Sequence, residues 1–110
     1  MQPIIKNNLE AIINLCKEHY VAQLYVFGSA TSNLFNEKSD IDFLYDFNVI
    51  DIDFNNLENA AYDYETNYFN FNKKLKKILK RKIDLVPIKY LKNKYLLESI
   101  NASKQLIYNA

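Results

Sequence analysis

The sequence predicts an α/β chain of mixed (α+β) character, a three-stranded mixed sheet packed with about four helices, as one domain over residues 1–110. Three observations predict it. Apolar residues recur at helical spacing in residues 4–20 and 55–80. Three runs rich in β-branched and aromatic residues, AQLYVFG, DIDFLYDF and KIDLVPI, fall between those stretches and read as strands. A length of 110 residues favours a single domain, with 9 Tyr and 7 Phe supplying much of a modest core.

Taken in order, Ile5, Leu9, Ile12, Ile13, Cys16 and Tyr20 mark the apolar face of a first helix over about Ile4–Tyr20. The first strand then runs into Gly28, and Thr31–Phe35 reads as a short helical turn. The second strand, Asp40–Phe47, alternates, with Asp40, Asp42 and Leu44 on one side and Ile41, Phe43 and Tyr45 on the other. A long helix over about Asn55–Lys80 carries the stripe Leu57, Ala61, Tyr64, Tyr68, Phe71, Leu75 and Ile78. The third strand spans about Lys82–Ile88, with Pro87 near its end, where a missing amide donor is tolerable. A last helix covers about Lys92–Asn101, and SKQLIYN trails after it.

Composition narrows the classes of function. A net charge of +1 gives no strong sign of a nucleic-acid binder that works by global electrostatics. Cys16 is the only cysteine, which forbids an internal disulfide and points to a reducing, cytoplasmic setting. Its place on the apolar face makes it a buried structural thiol rather than a nucleophile. One Cys and one His leave no zinc site. No apolar run is long enough to span a bilayer, and the N-terminus lacks a signal-peptide layout. His19 reads as a surface residue at a helix end. The stretch Asp51–Asn55 resembles the start of a calcium loop, but Asn56 and Tyr62 stand where such a loop needs Gly and Glu. It is therefore expected to be a loop and helix start.

The chemistry concentrates in GSATSNLFNEKSDID, residues 28–42. Asp40 and Asp42 lie two apart on an extended strand and project from the same side. Two such carboxylates repel unless a cation sits between them. A hard divalent ion such as Mg²⁺ takes oxygen ligands and usually brings substrate phosphates with it. Gly28, the only glycine, lets the backbone approach a phosphate because it has no Cβ. The pattern suits the handling of nucleoside triphosphates. Asp84 lies between apolar neighbours on a strand expected to be buried, where a carboxylate is costly unless compensated. With the third strand beside the second, Asp84 faces Asp40 and Asp42, and the three hold one or two Mg²⁺ ions. A plainer reading stays open for each: a strand-end cap or an ion pair with Lys82 for Asp84, and a solvated strand start for Asp40 and Asp42.

GSATSNLFNEKSDIDF resembles the signature of the minimal nucleotidyltransferase (MNT) branch of the DNA polymerase β superfamily: Gly-Ser, a spacer of about ten residues, then Asp-x-Asp. KRKIDLVPIKYLKNKYLLESINASKQLIY is similar to that family's third motif, an Asp-bearing strand followed by a helix and a Leu/Ile-Tyr ending. The resemblance runs from about Leu24 to Tyr108. It implies a small nucleotidyltransferase fold, ATP as substrate and Mg²⁺ as cofactor. Gly28 and Ser29 would contact the nucleotide phosphates, Asp40 and Asp42 would bind Mg²⁺, and Asp84 would be the third catalytic and metal-binding carboxylate. Many family members carry Arg-Gly shortly after the Gly-Ser; Ser32-Asn33 stands there instead. The resemblance also implies a partner. Free-standing MNT proteins of this length are often antitoxins paired with a HEPN-domain RNase toxin, and some transfer AMP from ATP to a tyrosine hydroxyl of that toxin. A hetero-oligomer with the toxin follows. The alternative is an MNT-like antitoxin that neutralises its toxin by binding alone.

Lys73, Lys74, Lys76, Lys77, Lys80, Arg81 and Lys82 form a basic cluster at the end of the long helix. It reads as a solvated face favoured by the helix dipole, with contact to ATP phosphates, an acidic partner or RNA as the other readings.

Overall fold

The structure is a computed structural model. It describes residues 1–48 and 57–110, and the side chains of all of these except 57–63. The elements are helix α1 (Pro3–Lys6), helix α2 (Leu9–Glu18), strand β1 (Val21–Phe27), a 3₁₀ turn (Gly28–Thr31), strand β2 (Ile41–Phe47), helix α3 (Leu57–Leu79), strand β3 (Ile83–Pro87), a second 3₁₀ turn (Ile88–Tyr90), helix α4 (Lys94–Ser103) and strand β4 (Gln105–Asn109). The sheet is four-stranded, in the order β3-β2-β1-β4. β1 pairs antiparallel with β2 and β4, while β2 and β3 run parallel. A parallel pair needs a long crossover, and α3 provides it.

Four expectations are corrected. The sheet has a fourth strand, because QLIYN, read as a tail, pairs with β1. The first helix is two, broken at Asn7–Asn8, where the Asn8 amide side chain donates to the Ile4 carbonyl at 2.8 Å and competes with the helical ladder. The turn after β1 covers Gly28–Thr31 rather than Thr31–Phe35. Asp40 precedes β2 instead of opening it. The expected loop at Asp51–Asn55 and the stripe positions Leu57 and Ala61 lie outside the described residues or side chains.

Ile41, Phe43, Tyr45 and Phe47 face the helices from β2, joined by Leu24 and Val26 from β1. The helices answer with Ile12, Leu15 and Cys16 from α2 and Phe71, Leu75 and Leu79 from α3. Aromatic edges lock α3 onto β2: Phe47 meets Phe71 at 5.9 Å and Tyr64 at 5.3 Å between ring centres, both near-perpendicular. Burial pushes the Cys16 thiol up to about 12, so it stays protonated and inert. Leu44 and Ile100 are buried outside this core, Leu44 from the opposite face of β2.

His19 is not at the surface. It is buried at the end of α2 and ties that helix to α3. Lys74 Nζ lies 3.2 Å from Nε2, and an ammonium can only donate. The ring hydrogen therefore sits on Nδ1 and reaches Asn67 Oδ1 at 2.9 Å. Asn67 Nδ2 donates in turn to the His19 carbonyl at 2.7 Å.

Candidate active site

The three sequence-predicted carboxylates come together on the face of the sheet away from α2 and α3. Asp42 and Asp84 are direct register partners on the parallel strands β2 and β3. Residues opposite each other on adjacent strands share a face. Ile83 and Leu85 are buried on the helical side, whereas Asp84 itself is exposed. The expectation of a buried Asp84 is thus corrected: β3 is an edge strand, and the outward face of an edge strand meets solvent.

Asp42 is half-buried, and its carboxyl is held above the usual carboxylate range by burial first, then by the charges of Asp84 and Asp40. Three carboxylates gathered this closely form an anionic centre that suits a cation. The sign fixes a stability prediction. With its folded value raised, Asp42 is stability-neutral when protonated and becomes destabilising as pH rises through the carboxylate range. Asp42→Asn is therefore expected to melt a few degrees higher than the wild type at pH 7. The advantage should vanish below pH ~3.8, the value of a free carboxyl. Equal melting at both pH values would contradict this electrostatic account.

Lys82 Nζ stands 4.0 Å from Asp40 Oδ2, so the lysine pairs with Asp40 rather than with Asp84. As the side chains stand, no three His, Cys, Asp or Glu groups among the described residues form a ready metal shell. The donor chemistry nevertheless fits a hard divalent cation, being all carboxylate oxygen, and Lys82 already offers Asp40 a positive charge. Farther along the same face, Lys89 Nζ pairs with Asp46 Oδ1 at 3.5 Å.

Gly28 has φ +72°, the left-handed region that favours glycine. A Cβ built there would fall 2.6 Å from Asp42 Oδ2. The glycine therefore makes room for the Asp42 carboxylate, a role the sequence reading, with its eye on phosphate, did not assign. Gly28→Ala adds backbone strain of about 1–2 kcal/mol and displaces that carboxylate. The expected outcome is a folded protein melting lower by several degrees. An unchanged melting temperature would refute the role. Beside it, the Ser29 carbonyl accepts from the Ser32 amide at 3.0 Å and the Ser32 hydroxyl at 3.1 Å. Thr31 Oγ1 donates to the Gly28 carbonyl at 2.7 Å. The Ser29 hydroxyl has no protein partner among the described residues.

A cavity of about 310 Å³ is lined by Tyr45, Tyr64, Glu65, Tyr68, Leu85 and Pro87. It lies on the helical side of β2 and β3, and none of the three carboxylates lines it.

Sheet order, a glycine at the end of one strand and facing carboxylates on the next two define a nucleotidyltransferase architecture. The profile of the nucleotidyltransferase domain family matches residues 9–107, and the chain belongs to that family. Solved structures share the small nucleotidyltransferase fold. A candidate minimal nucleotidyltransferase is 23% identical with a TM-score of 0.67, over 92% of this chain and 90% of that one. A chain of a toxin–antitoxin crystal structure with AMP-PNP is 20% identical, TM-score 0.65, over 94% of this chain and 74% of that one. A chain from the tri-AMPylated Shewanella oneidensis HEPN toxin in complex with MNT antitoxin is 19% identical, TM-score 0.59, over 96% and 72%. No curated protein matches the sequence. No helix among the described residues is long and apolar enough to cross a membrane.

Proposed function

We propose that the domain is a Mg²⁺-dependent nucleotidyltransferase acting as an antitoxin in the cytoplasm, which transfers AMP from ATP to a tyrosine hydroxyl of a partner HEPN-domain RNase toxin. The observation that carries the reading is the convergence of Asp42, Asp84 and Asp40 beside Gly28, with the Asp42 carboxyl raised by burial first and then by the other two charges. The resemblance of the fold to chains from toxin–antitoxin complexes, one with AMP-PNP and one holding an AMPylated toxin, supports the choice of donor and acceptor.

Asp40, Asp42 and Asp84 would hold the divalent ion. When bound, it supplies neutralisation of charge on the α-phosphate and on the departing pyrophosphate. Gly28 and Ser29 orient the triphosphate, the glycine by leaving space and the serine by its hydroxyl. The acceptor oxygen attacks the α-phosphorus, the bond to the β-phosphate oxygen breaks, and pyrophosphate leaves. Asp84, exposed at the sheet edge, would take the acceptor's proton. An acceptor carried on another protein reaches this open edge without entering a cavity.

The test is label transfer. The chain, Mg²⁺ and ATP labelled at the α-phosphate are incubated with a cognate HEPN protein. Label on that protein supports the reading. A stable complex that gains no label supports the second reading, neutralisation by binding alone, which the sequence favours at one point: Ser32-Asn33 stands where many relatives carry Arg-Gly.

A further inference from the structure

We propose that Arg81 is a positioning residue for the carboxylates. Its guanidinium clamps the turn that precedes Asp40 to the head of β3, and so fixes where Asp40 stands relative to Asp42 and Asp84. The proposal rests on the nucleotidyltransferase reading of those carboxylates.

The segment between the 3₁₀ turn and β2 is built to receive a single donor. Asn36 N–H donates to Ser39 Oγ at 3.0 Å, Lys38 N–H to Asn36 Oδ1 at 2.8 Å, and Ser39 N–H to the Asn36 carbonyl at 3.1 Å. These bonds close residues 36–39 into a tight knuckle. Its carbonyls at Asn36 and Ser39 both accept from Arg81 Nη2, at 2.6 and 2.5 Å. The guanidinium also lies over the Phe35 ring, 4.7 Å from its centre, and Phe35 packs against the core. One side chain thus holds the residue next to Asp40 and a ring anchored in the hydrophobic interior.

The other flank of Asp40 is held from the same place. Ile41 N–H donates to the Lys82 carbonyl at 3.0 Å, so Arg81 and Lys82 grip the chain on both sides of the carboxylate. Asp84 follows two residues later, on β3. The turn out of α3 aims the arginine: Lys80 has φ +53°, a left-handed conformation rare outside glycine, and its amide still bonds the Lys76 carbonyl at 2.7 Å. Arginine suits this task because a planar guanidinium can stack on a ring while its terminal nitrogen donates two hydrogens in a fixed fork. The sequence offered Arg81 only as one of a run of basic residues.

Arg81→Ala and Arg81→Lys are compared with the wild type by amide hydrogen exchange, by Mn²⁺ titration and by label transfer. Arg81→Ala is expected to keep its helical spectrum and the protection of core amides in α2. Protection of Ser39 and Ile41 should fall about tenfold. Mn²⁺ affinity and transfer should fall about tenfold to a hundredfold. Excess Mn²⁺ should recover part of the transfer, as should added guanidinium ion, and Arg81→Lys should lie between. Unchanged protection at Ser39 and Ile41 overturns the clamp. Lost protection with unaltered Mn²⁺ affinity and transfer overturns the positioning role. A wild type that transfers nothing, while Arg81→Ala still loses protection and Mn²⁺ affinity, overturns the nucleotidyltransferase reading and leaves the clamp supported.

Discussion

Asp42→Ala is expected to lower nucleotidyl transfer by about 10³-fold or more while the chain stays folded. A bound metal contributes several kcal/mol to stabilising transition-state charge, and each 1.36 kcal/mol is about tenfold in rate. On the proposed function, Asp42 is the carboxylate whose loss is expected to cost most. It lies between Asp40 and Asp84 in the electrostatic coupling, faces Asp84 across the parallel pair, and has its own space cut into the backbone at Gly28. The fold should survive because the side chain contributes repulsion rather than packing. Asp40→Ala should fall nearly as far. The pair is best measured as single-turnover label transfer, alongside thermal melting to show that the variants are folded. Retention of more than a tenth of wild-type transfer by Asp42→Ala would remove the carboxylates from the mechanism.

Phe71→Ala is the most damaging single change expected in the interior, at about 3–5 kcal/mol. Phe71 is fully buried in α3 and makes an edge contact to Phe47 on β2 and a tilted ring contact to His19 at the end of α2, each with 5.9 Å between ring centres. No small shift of a 23-residue helix can refill that space without dragging its other contacts. A domain of this size holds roughly 5–15 kcal/mol in total, so the variant should melt far lower and populate unfolded chain at 37 °C. Denaturant titration checks it, with an unchanged slope required for the comparison. A loss under 1 kcal/mol would mean that α3 is not anchored through this ring.

Much of the candidate site's geometry was legible before the fold. Asp40 and Asp42 announce themselves by spacing, and Gly28 by being the only glycine at the end of an apolar run. Asp84 could be placed because a parallel strand beside β2 puts it there. What escaped reading depends on partners distant in sequence. His19 looks like a helix-end surface residue until Asn67 and Lys74, 48 and 55 residues on, close over it. Arg81 looks like one more cation until the knuckle 45 residues before it supplies the acceptors. QLIYN is short and polar-flanked, and only β1 makes it a strand. The break at Asn7–Asn8 was masked by apolar spacing that continues through it, because periodicity records which face is buried and not whether the ladder is intact.

The facing of Asp42 and Asp84 across two strands also sets what lengths this chain can inherit. Side chains on a strand alternate, so one residue gained or lost between Lys80 and Lys82 would rotate all of β3 by half a repeat. Asp84 would then point among the helices, and Ile83 and Leu85 would be turned out to water. The three-residue reversal out of α3 is therefore a fixed measure: a one-residue insertion or deletion there is expected to disrupt the pairing of Asp84 with Asp42. The number of residues in this reversal is thus expected to matter as much as the identity of Arg81 within it.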